Sequence, residues 1–494
     1  MKNDPPILSK SKYLSGLQCS RLLWHYFNAK HEIPPVDTGT QAIFDQGHQV
    51  GALAKTLYPD GIEVAEGEYD YYIVDEESGK LIEKRVPLFE PGFIYRNTFA
   101  RADILHPIGR KGWEIIEVKS TTSVKEVNIH DLALQWYVYE GAGLKIKRCG
   151  ILHLDNSYVR KGAIKPSKLF KLQDTTRDVK KLVPGVEKKA RSMSRVIGES
   201  SAPVVPIGLH CGDPYDCPLT EKCFAFLPDH NPLTLYRLSP AKAFGMIHDG
   251  RMDLRNLDDK IDFSDRQQIQ IKSLRSRRAH SNPEAIREFL ETLEYPVYFL
   301  DFETINPAIP LFDGTCPFQQ VPFQFSLHVQ ESPGARPVHT GFLADGRDDP
   351  RPAFLKQLRA VLGSKGSIVT YNESFEKNVL RRAAEAFPEF RTWEGRLEKR
   401  MIDLLAPFRA FSYYHYNQFG SASIKAVLPV LTGRSYEGMA ISDGGQASRE
   451  FLRVTFADGI AEEEKKTVRR TLEEYCALDT LAMVEIVEKL REMV

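Results

Sequence analysis

The stretch that decides the fold of the C-terminal part is YFLDFET, residues 298–304, in which Asp301 and Glu303 stand at the end of an apolar run. Side chains two residues apart in a strand point to the same face, so the two carboxylates are predicted to meet at one spot. Neighbouring like charges repel each other, and burial penalises both. The pair therefore indicates a site for divalent cations such as Mg²⁺ or Mn²⁺, which take carboxylate oxygens and water as ligands.

Strand and helix patterns alternate from about residue 295 onward. Short apolar runs predict strands at 297–300, 322–329 and 367–371, and longer periodic segments predict helices at 373–386 and 462–492. This alternation predicts an α/β domain with a mixed sheet.

Further site candidates follow the acidic pair along the chain. Glu376 lies in the first turn of the helix predicted after a strand, and Tyr475 and Asp479 lie four residues apart on the last helix. Residues at i and i+4 share a helix face. Together Asp301, Glu303, Glu376 and Asp479 could bind two cations about 3.5–4 Å apart, an arrangement that clamps the attacking and leaving oxygens of a phosphoryl transfer.

This set resembles the DEDD exonucleases of the RNase H-like fold, in the branch with a Tyr four residues before the last Asp. The resemblance implies that Tyr475 positions the attacking water and that cleavage runs 3′→5′. Glu376 departs from the family pattern, which has Asp there. The extra methylene could shift the second metal.

A second group of candidates lies in a predicted hairpin. Residues 96–107 predict one strand, 109–112 a turn and 113–120 the return strand. Asp103 then falls opposite Glu117 or its neighbour, and Glu117 and Lys119 share a face. Two carboxylates could hold a metal there, while the Lys activates the attacking water and stabilises charge on phosphate.

This hairpin and the helix predicted at 131–140 resemble the RecB-like branch of the PD-(D/E)xK nuclease superfamily. The residues that carry the resemblance, in chain order, are Asp103, Glu117, Lys119, Gln135 and Tyr139. His48 matches an upstream His that often supplies another metal ligand in that branch. The resemblance implies a second metal-dependent nuclease site in this part of the chain.

Three of the seven cysteines, Cys211, Cys217 and Cys223, recur with five residues between neighbours. In a cytoplasmic protein such clustering suggests a metal before a disulfide. Cys19 is the best candidate for the fourth ligand, and His210 is the runner-up. The remaining cysteines, Cys149, Cys316 and Cys476, are interpreted as packed thiols.

The order of one cysteine before the nuclease core and three after it is similar to RecB-like nucleases, including CRISPR-associated ones, that clamp their termini with a 4Fe-4S cluster. The resemblance implies that Cys19, Cys211, Cys217 and Cys223 hold this cluster. The even spacing departs from the familiar pattern, which has two closely spaced cysteines. Zinc stays open as the alternative, because four thiolates suit either group.

The chain has 494 residues, of which 42% are hydrophobic and 27% charged. This length favours two or three domains. We predict a RecB-like domain with the cysteines at 1–234, a helical connector at 235–288 and an RNase H-like domain at 289–494. No window offers the about 20 apolar residues of a membrane span, and the N-terminus lacks a signal-peptide core, so we expect a cytoplasmic protein without a membrane partner.

Basic and acidic residues balance at 66 each, so any nucleic-acid binding must come from local patches or bound metal. Lys and Arg far outnumber acids between residues 145 and 195, which predicts either a solvated helical face or a phosphate-binding surface. Tyr413, Tyr414 and Tyr416 could stack on unpaired bases, or could be packing residues.

The whole chain resembles an uncharacterised bacterial family that fuses the two nuclease modules. We therefore expect a metal-dependent nuclease with two active sites that hydrolyses DNA, rather than RNA, at single strands or ends, in repair or in defence against foreign DNA. One alternative is a nucleic-acid-binding protein with one degenerate site, and another is a metal-stabilised scaffold.

Overall fold

The computed structural model describes residues 6–258 and 260–494, and it shows a mixed α/β architecture with several mixed sheets and many helices. The α/β fold class and the mixed sheet predicted from the sequence are confirmed. The chain divides into two units: an N-terminal unit up to Phe226 together with Pro307–Phe318, and a C-terminal unit of Leu227–Asn306 and Gln319–Val494. Within the described residues, no helix is both long enough and apolar enough to cross a membrane.

The N-terminal unit contains nine strands and eight α-helices among its described residues. The strands are β1 (Leu8–Ser9), β2 (Ile62–Glu63), β3 (Leu88–Phe89), β4 (Gly92–Tyr95), β5 (Thr98–Arg101), β6 (Ile104–Ile108), β7 (Gly112–Lys119), β8 (Ile146–Leu154) and β9 (Phe170–Asp174). The helices are α1 (Lys10–Gln18), α2 (Ser20–Asn28), α3 (Thr38–Lys55), α4 (Tyr71–Leu81), α5 (Glu126–Gly141), α6 (Pro166–Leu169), α7 (Thr176–Ile197) and α8 (Thr220–Phe224).

A six-stranded sheet in the order β2-β3-β6-β7-β8-β9 forms the centre of this unit. Strands β6 and β7 form an antiparallel hairpin, and β7 pairs with β8 in parallel through the crossover helix α5. Both faces of β7 are covered, and its residues from Gly112 to Glu117 are buried, as expected for a central strand beside a parallel neighbour. Helices α5 and α7 pack on each other, and α5 also packs against β7 and β8.

The predicted hairpin exists, but the single strand predicted at 96–107 is wrong. That segment is divided between β5, which pairs with β1 and β4 in a separate three-stranded sheet, and β6. Between β5 and β6 the backbone passes from one sheet to the other. There the amide of Ala102 donates to the carbonyl of Pro91, and the amide of Glu90 donates to the carbonyl of Asp103. The register of Ile104 opposite Ile116 then places Asp103 beside the end of β7.

The C-terminal unit contains seven strands and ten α-helices among its described residues. The strands are β10 (His280–Ser281), β11 (Val297–Ile305), β12 (Val321–Gln330), β13 (Val338–Leu343), β14 (Ile368–Thr370), β15 (Met401–Asp403) and β16 (Tyr413–Tyr414). The helices are α9 (Pro240–His248), α10 (Asp265–Ser276), α11 (Pro283–Glu291), α12 (Arg351–Val361), α13 (Glu373–Ala386), α14 (Arg391–Leu397), α15 (Ala406–Ala410), α16 (Ile424–Thr432), α17 (Gly444–Phe456) and α18 (Glu462–Arg491).

A five-stranded mixed sheet in the order β13-β12-β11-β14-β15 forms the core of this unit. Strand β11 is antiparallel to β12 and parallel to β14. Leu300 and Phe302 of β11 pack with residues of α12 and α13 on one face. The alternating residues Asp301 and Glu303 point to the other face, where α18 packs on β11 and β12. The fold thus places both carboxylates under the last helix.

Candidate functional site

The acidic group of the C-terminal unit is built from β11 and α18. One oxygen each of Asp301 and Glu303 and the sulfur of Cys476 all lie within 4.8 Å of one another. Among the described residues, this is the one group of three or more potential metal-ligating side chains that is so tightly clustered. Asp479 stands one turn further along α18 and raises the pKa of both carboxyls on β11, so the structure brings these three acids together.

One tyrosine hydroxyl binds Asp479 and a second lies near it. Tyr436 donates to Asp479 Oδ1 at 2.5 Å. Tyr475 stands one turn earlier on α18, and its hydroxyl acts to lower the pKa of the same carboxyl. Burial raises the pKa of Asp479 to about 6, although both hydroxyls favour the ionised form. The predicted water-positioning residue Tyr475 therefore points its hydroxyl at the carboxylate cluster.

The cluster carries more acid than its surroundings can neutralise. Burial and the neighbouring charge of Asp479 raise the pKa of Glu303 to about 8, and burial together with both neighbours raises that of Asp301 well above its usual range. Lys425 offsets part of this repulsion. Without a cation the cluster keeps protons near neutral pH, and a divalent ion could replace them.

Glu376 approaches from a different element. A tight turn after β14 holds Asn372 in the left-handed region at φ 91°, where its amide donates to Asp403 Oδ1 at 2.9 Å. The following first turn of α13 buries Glu376 to 2% exposure, and its Oε2 accepts no hydrogen bond from the described residues. Burial and Asp403 raise its pKa to about 8. Glu376 lies outside the tight group, although its charge also acts on Asp301.

Three residues near this site were not assigned to it from the sequence. Lys425 donates from Nζ to the carbonyl of Ser442 at 2.5 Å and lies 5.6 Å and 5.8 Å from the ring centres of Tyr436 and Tyr475. Cys476, interpreted above as a packed thiol, is indeed fully buried, but it lies against the carboxylates. The position of Cys476 directly after Tyr475 was the one feature of the sequence that could have placed it at the site. Lys425 and Tyr436 follow no spacing rule that could have done so.

Mn²⁺ should raise the melting temperature of the chain more at pH 8 than at pH 6. The raised pKa values of Glu303, Glu376 and Asp479 mean that the folded state binds more protons than the unfolded state between about pH 4 and pH 8. Metal-free stability therefore falls as pH rises through this window, and a cation that displaces the protons binds more tightly at high pH. Melting curves with and without Mn²⁺ at pH 6, 7 and 8 measure this, and an increment independent of pH would contradict the protonated cluster.

The hairpin of the N-terminal unit brings a second acidic group together. Glu117 of β7 is 1% exposed and accepts from Lys119 Nζ at 2.7 Å. Asp103 reaches the same strand end, where its Oδ2 accepts from the amide of Val118 at 2.6 Å. Two carboxylates, Asp103 and Glu117, and the ammonium group of Lys119 thus lie at one end of β7, as the hairpin pattern predicted.

Two more charged residues belong to this group, and the sequence did not indicate them. Lys10, the first residue of α1, places Nζ 2.8 Å from Glu117 Oε1 and 3.6 Å from Asp131 Oδ1. Lys119 lies 3.2 Å from Asp131 Oδ2. Two ammonium groups therefore share two buried carboxylates. Asp131 could have been found one turn before Gln135 on α5, but no pattern in the sequence singles out Lys10.

The charges give the two hairpin carboxylates different protonation. Burial alone would raise the pKa of Glu117, but Lys10 and Lys119 outweigh it and lower the pKa. Burial and the charge of Glu117 raise the pKa of Asp103 to about 7. Glu117 is thus ionised at neutral pH, while Asp103 stands near its titration point.

The other predicted residues of this site differ in where they lie. Gln135 is buried and donates from Nε2 to Glu117 Oε2 at 2.7 Å and to Asp131 Oδ1 at 2.8 Å, so it orients both carboxylates. Tyr139 is also buried, and its hydroxyl contacts the backbone of Pro91 and Ala102 rather than a carboxylate. His48 is exposed on α3, a helix that packs against β7.

The four predicted cysteine ligands lie near one another. Cys19 stands between α1 and α2, and it packs with Cys217 and Cys223 around a small apolar cluster. Burial and the neighbouring thiols raise the pKa of Cys217 to about 11 and also raise that of Cys211. His210, the runner-up ligand, lies 3.7 Å from Cys211 Sγ.

The spacing of these thiols bears on which metal group they could hold. Within the described chain, no three of the sulfurs form a group with all members within 4.8 Å of one another. A single tetrahedral zinc with Zn–S bonds near 2.3 Å would bring its sulfurs to about 3.8 Å. Four thiolates in this region could hold either a zinc ion or a 4Fe-4S cluster.

Of the two alternatives for Tyr413 and Tyr414, packing is confirmed and stacking on bases is wrong, because both rings are buried. Both residues form β16, where the ring of Tyr414 stacks on that of Phe411 with centres 4.4 Å apart. Tyr416 is partly exposed and stacks on His415. The core, rather than a ligand, explains the first two rings.

Comparison with known proteins gives a similarity without an assigned activity. Residues 298–423 match the family described as "Domain of unknown function (DUF2779)". The match begins on β11 and so includes Asp301, Glu303 and Glu376.

Two proteins from mycoplasmas are also similar to this chain. "Uncharacterized protein MG366 homolog" of Mycoplasma pneumoniae is 29% identical over 216 residues, which are 39% of this chain and 32% of that protein. "Uncharacterized protein MG366" of Mycoplasma genitalium is 27% identical over 221 residues, which are 40% of this chain and 32% of that protein. The alignments thus span about a third of each relative.

Proposed function

We propose that this protein is a divalent-metal-dependent nuclease with two active sites that hydrolyses phosphodiester bonds of DNA, at single strands or ends. The observation that carries the proposal is the convergence of Asp301, Glu303 and Asp479, from one strand and one helix distant in sequence, on a buried spot with too little positive charge. Unpaired buried carboxyls are unfavourable, and a site for cations is the simplest reason to keep three of them together.

The C-terminal unit is proposed to be an RNase H-like 3′→5′ exonuclease. Asp301, Glu303, Asp479 and the unpartnered oxygen of Glu376 would hold Mg²⁺ or Mn²⁺. Cations bound there would polarise the phosphoryl oxygens and lower the pKa of a bound water. Tyr475 would orient the attacking water through its hydroxyl, and the ammonium group of Lys425 would stabilise negative charge on the phosphate.

The N-terminal unit is proposed to be a RecB-like nuclease. Asp103 and Glu117 would hold the cation, with His48 as the further ligand implied by the resemblance. Gln135 keeps the Glu117 carboxylate oriented through a 2.7 Å hydrogen bond. Lys119 would assist the attacking water and the charged phosphate, as in the resembling family.

DNA is the proposed partner of both sites, and helix α7 offers a surface for its backbone. Val179, Val186 and Met193 bury one face of this helix. Exposed basic residues cover much of the rest: Arg177, Lys180, Lys181, Lys188, Arg191 and Arg195. The chain as a whole has no net charge, so contacts with phosphate groups require a local concentration of basic residues such as this one.

The experiment that tests the proposal uses 5′-labelled single-stranded DNA and the full chain. With Mg²⁺ or Mn²⁺ we expect a ladder of products that shortens from the 3′ end, and no products after chelation with EDTA. A matched RNA strand should be cut more slowly. DNA that stays intact with both metals, at any pH between 6 and 9, would overturn the proposal.

A 4Fe-4S cluster is proposed for Cys19, Cys211, Cys217 and Cys223, supported by the packing of Cys19, Cys217 and Cys223 in one small cluster and by the effect of Cys19 and Cys223 on Cys211. Anaerobically purified protein should be brown with a broad visible absorption band. Cys217→Ser should lose most of the band, because its thiol lies within the group. Cys149→Ser, a buried thiol of β8 beside Thr175, is the control and should keep the colour. A colourless protein that contains stoichiometric zinc would favour the alternative metal.

A further inference from the structure

Cys476 is an unusual neighbour for a carboxylate cluster. It follows Tyr475 on α18 and is fully buried, and its Sγ lies 3.8 Å from Asp301 Oδ2. With one oxygen each of Asp301 and Glu303, this sulfur completes the group whose members all lie within 4.8 Å. A buried thiol that only filled space would pack among apolar side chains.

A second observation points to a ligand close to this group. Glu376 is buried to 2% exposure, its Oε2 has no hydrogen-bond partner among the described residues, and its charge acts on Asp301. A buried carboxyl oxygen left without a partner is unfavourable unless something else satisfies it. The group around Asp301 thus offers two carboxylates and one thiol to a cation, and the unpartnered carboxyl of Glu376 acts on Asp301 from outside that group.

We infer that Cys476 Sγ is a direct ligand of a divalent cation shared with Asp301 and Glu303, and that it makes this site prefer Mn²⁺ or Zn²⁺ over Mg²⁺. The inference rests on the proposed function only in placing a cation at these carboxylates. Metal–oxygen bonds of about 2.1 Å and a metal–sulfur bond of about 2.3 Å allow ligand atoms up to about 4.4 Å apart, so the side chains need to close in only slightly.

The chemistry of the ligand set explains the preference. Mg²⁺ binds oxygen and holds its waters tightly, whereas a thiolate stabilises softer ions. On binding, the Cys476 S–H bond breaks, its proton passes to solvent, and the sulfur replaces one water of the cation. No electron is transferred. The competing interpretation is a neutral thiol that donates a weak hydrogen bond to Asp301.

Cd²⁺ is the probe that separates these interpretations, since a cadmium–thiolate bond has an ultraviolet charge-transfer absorption. Full-length wild-type protein and Cys476→Ser are titrated with Cd²⁺, and the difference between them cancels the signal of the other cysteines. We expect the variant to lose the absorption of one thiolate, and Asp301→Asn to lose the same amount. Cys149→Ser, which removes a buried thiol of β8 in the N-terminal unit, should lose none. An unchanged signal in Cys476→Ser would overturn the inference.

Metal affinity gives a second measurement. Calorimetric titration of Cys476→Ser should show Mn²⁺ and Zn²⁺ affinity at this site lower by about 10- to 100-fold, with Mg²⁺ affinity within twofold of the wild type. An equal loss for all three metals would mean that the substitution disturbs packing, and it would overturn the inference. Cys476→Ala, compared by thermal melting, checks that the fold is retained.

The outcomes also separate this inference from the proposed function. A cadmium–thiolate signal in a protein that cuts no DNA would leave the ligand assignment standing and remove the nuclease proposal. DNA cleavage that needs Asp301, without a cadmium–thiolate signal from Cys476, would leave the nuclease proposal standing and remove the ligand assignment.

Discussion

Asp301→Asn should lower the rate of 3′→5′ shortening of single-stranded DNA by more than about 100-fold. Losing even an outer partner of a metal ligand typically costs 10- to 100-fold in activity, and this carboxylate lies in the tightest potential ligand group of the described residues. The same change should raise the melting temperature of the metal-free protein, because it removes one of several mutually repelling buried carboxyls. The two effects together would mark Asp301 as kept for function rather than for stability.

The matched control for this prediction is Glu474→Gln on the same helix as Tyr475. Glu474 is exposed and pairs loosely with Arg470 at 3.7 Å, so its substitution should leave both rate and melting temperature near the wild-type values. Product ladders on 5′-labelled DNA measure the rate. If Asp301→Asn cuts as fast as Glu474→Gln, the carboxylate group of β11 and α18 is not the exonuclease site.

Glu117→Gln should lower the free energy of unfolding by about 3 kcal/mol and abolish cleavage by the N-terminal site. Its carboxylate is buried and accepts from both Lys10 and Lys119, so the amide would leave two ammonium groups with Asp131 alone. Removing one partner of a buried ion pair costs about 3–5 kcal/mol, and the lower end applies because each Lys side chain is about a quarter exposed.

Denaturant unfolding followed by circular dichroism measures this loss, and Glu140→Gln is its control. Glu140 is exposed near the end of α5, and its change should alter stability by less than about 0.5 kcal/mol. The 3′→5′ ladder made by the C-terminal site should persist in Glu117→Gln at temperatures where the protein is folded. Wild-type stability in Glu117→Gln would show that Lys10 and Lys119 find other partners, and would contradict the charge arrangement described above.

Much of the fold could be predicted because local patterns agreed with it. The helix predicted at 373–386 is α13 without an error at either end, and the last helix ends within one residue of its prediction. The strand predicted at 297–300 continues as β11 to Ile305. The pattern underestimated it because the acidic residues interrupt the apolar run, whereas the backbone pairing with β12 continues through Asp301 and Glu303.

At 96–107 the pattern predicted one strand where the structure has two. The segment alternates like one strand, but its two halves pair with different partners: β5 pairs with β4, and β6 pairs with β3. Part of this pairing joins residues far apart in the chain, such as Leu8 and Thr98, which a short window does not contain. The sequence left two alternatives open for Tyr413 and Tyr414 for the same reason, since burial depends on what packs above them.

The sequence by itself determined which acids could share a face. Asp301 with Glu303, Glu117 with Lys119, and Tyr475 with Asp479 follow from the repeat of a strand or a helix, which is fixed by backbone geometry. Only the tertiary structure decided which other charges meet them. Lys10 and Lys425 arrive from distant elements through packing, and no local period encodes that arrival. Periodicity therefore predicts direction along one element, whereas the charge and protonation of a site depend on elements brought together by the core.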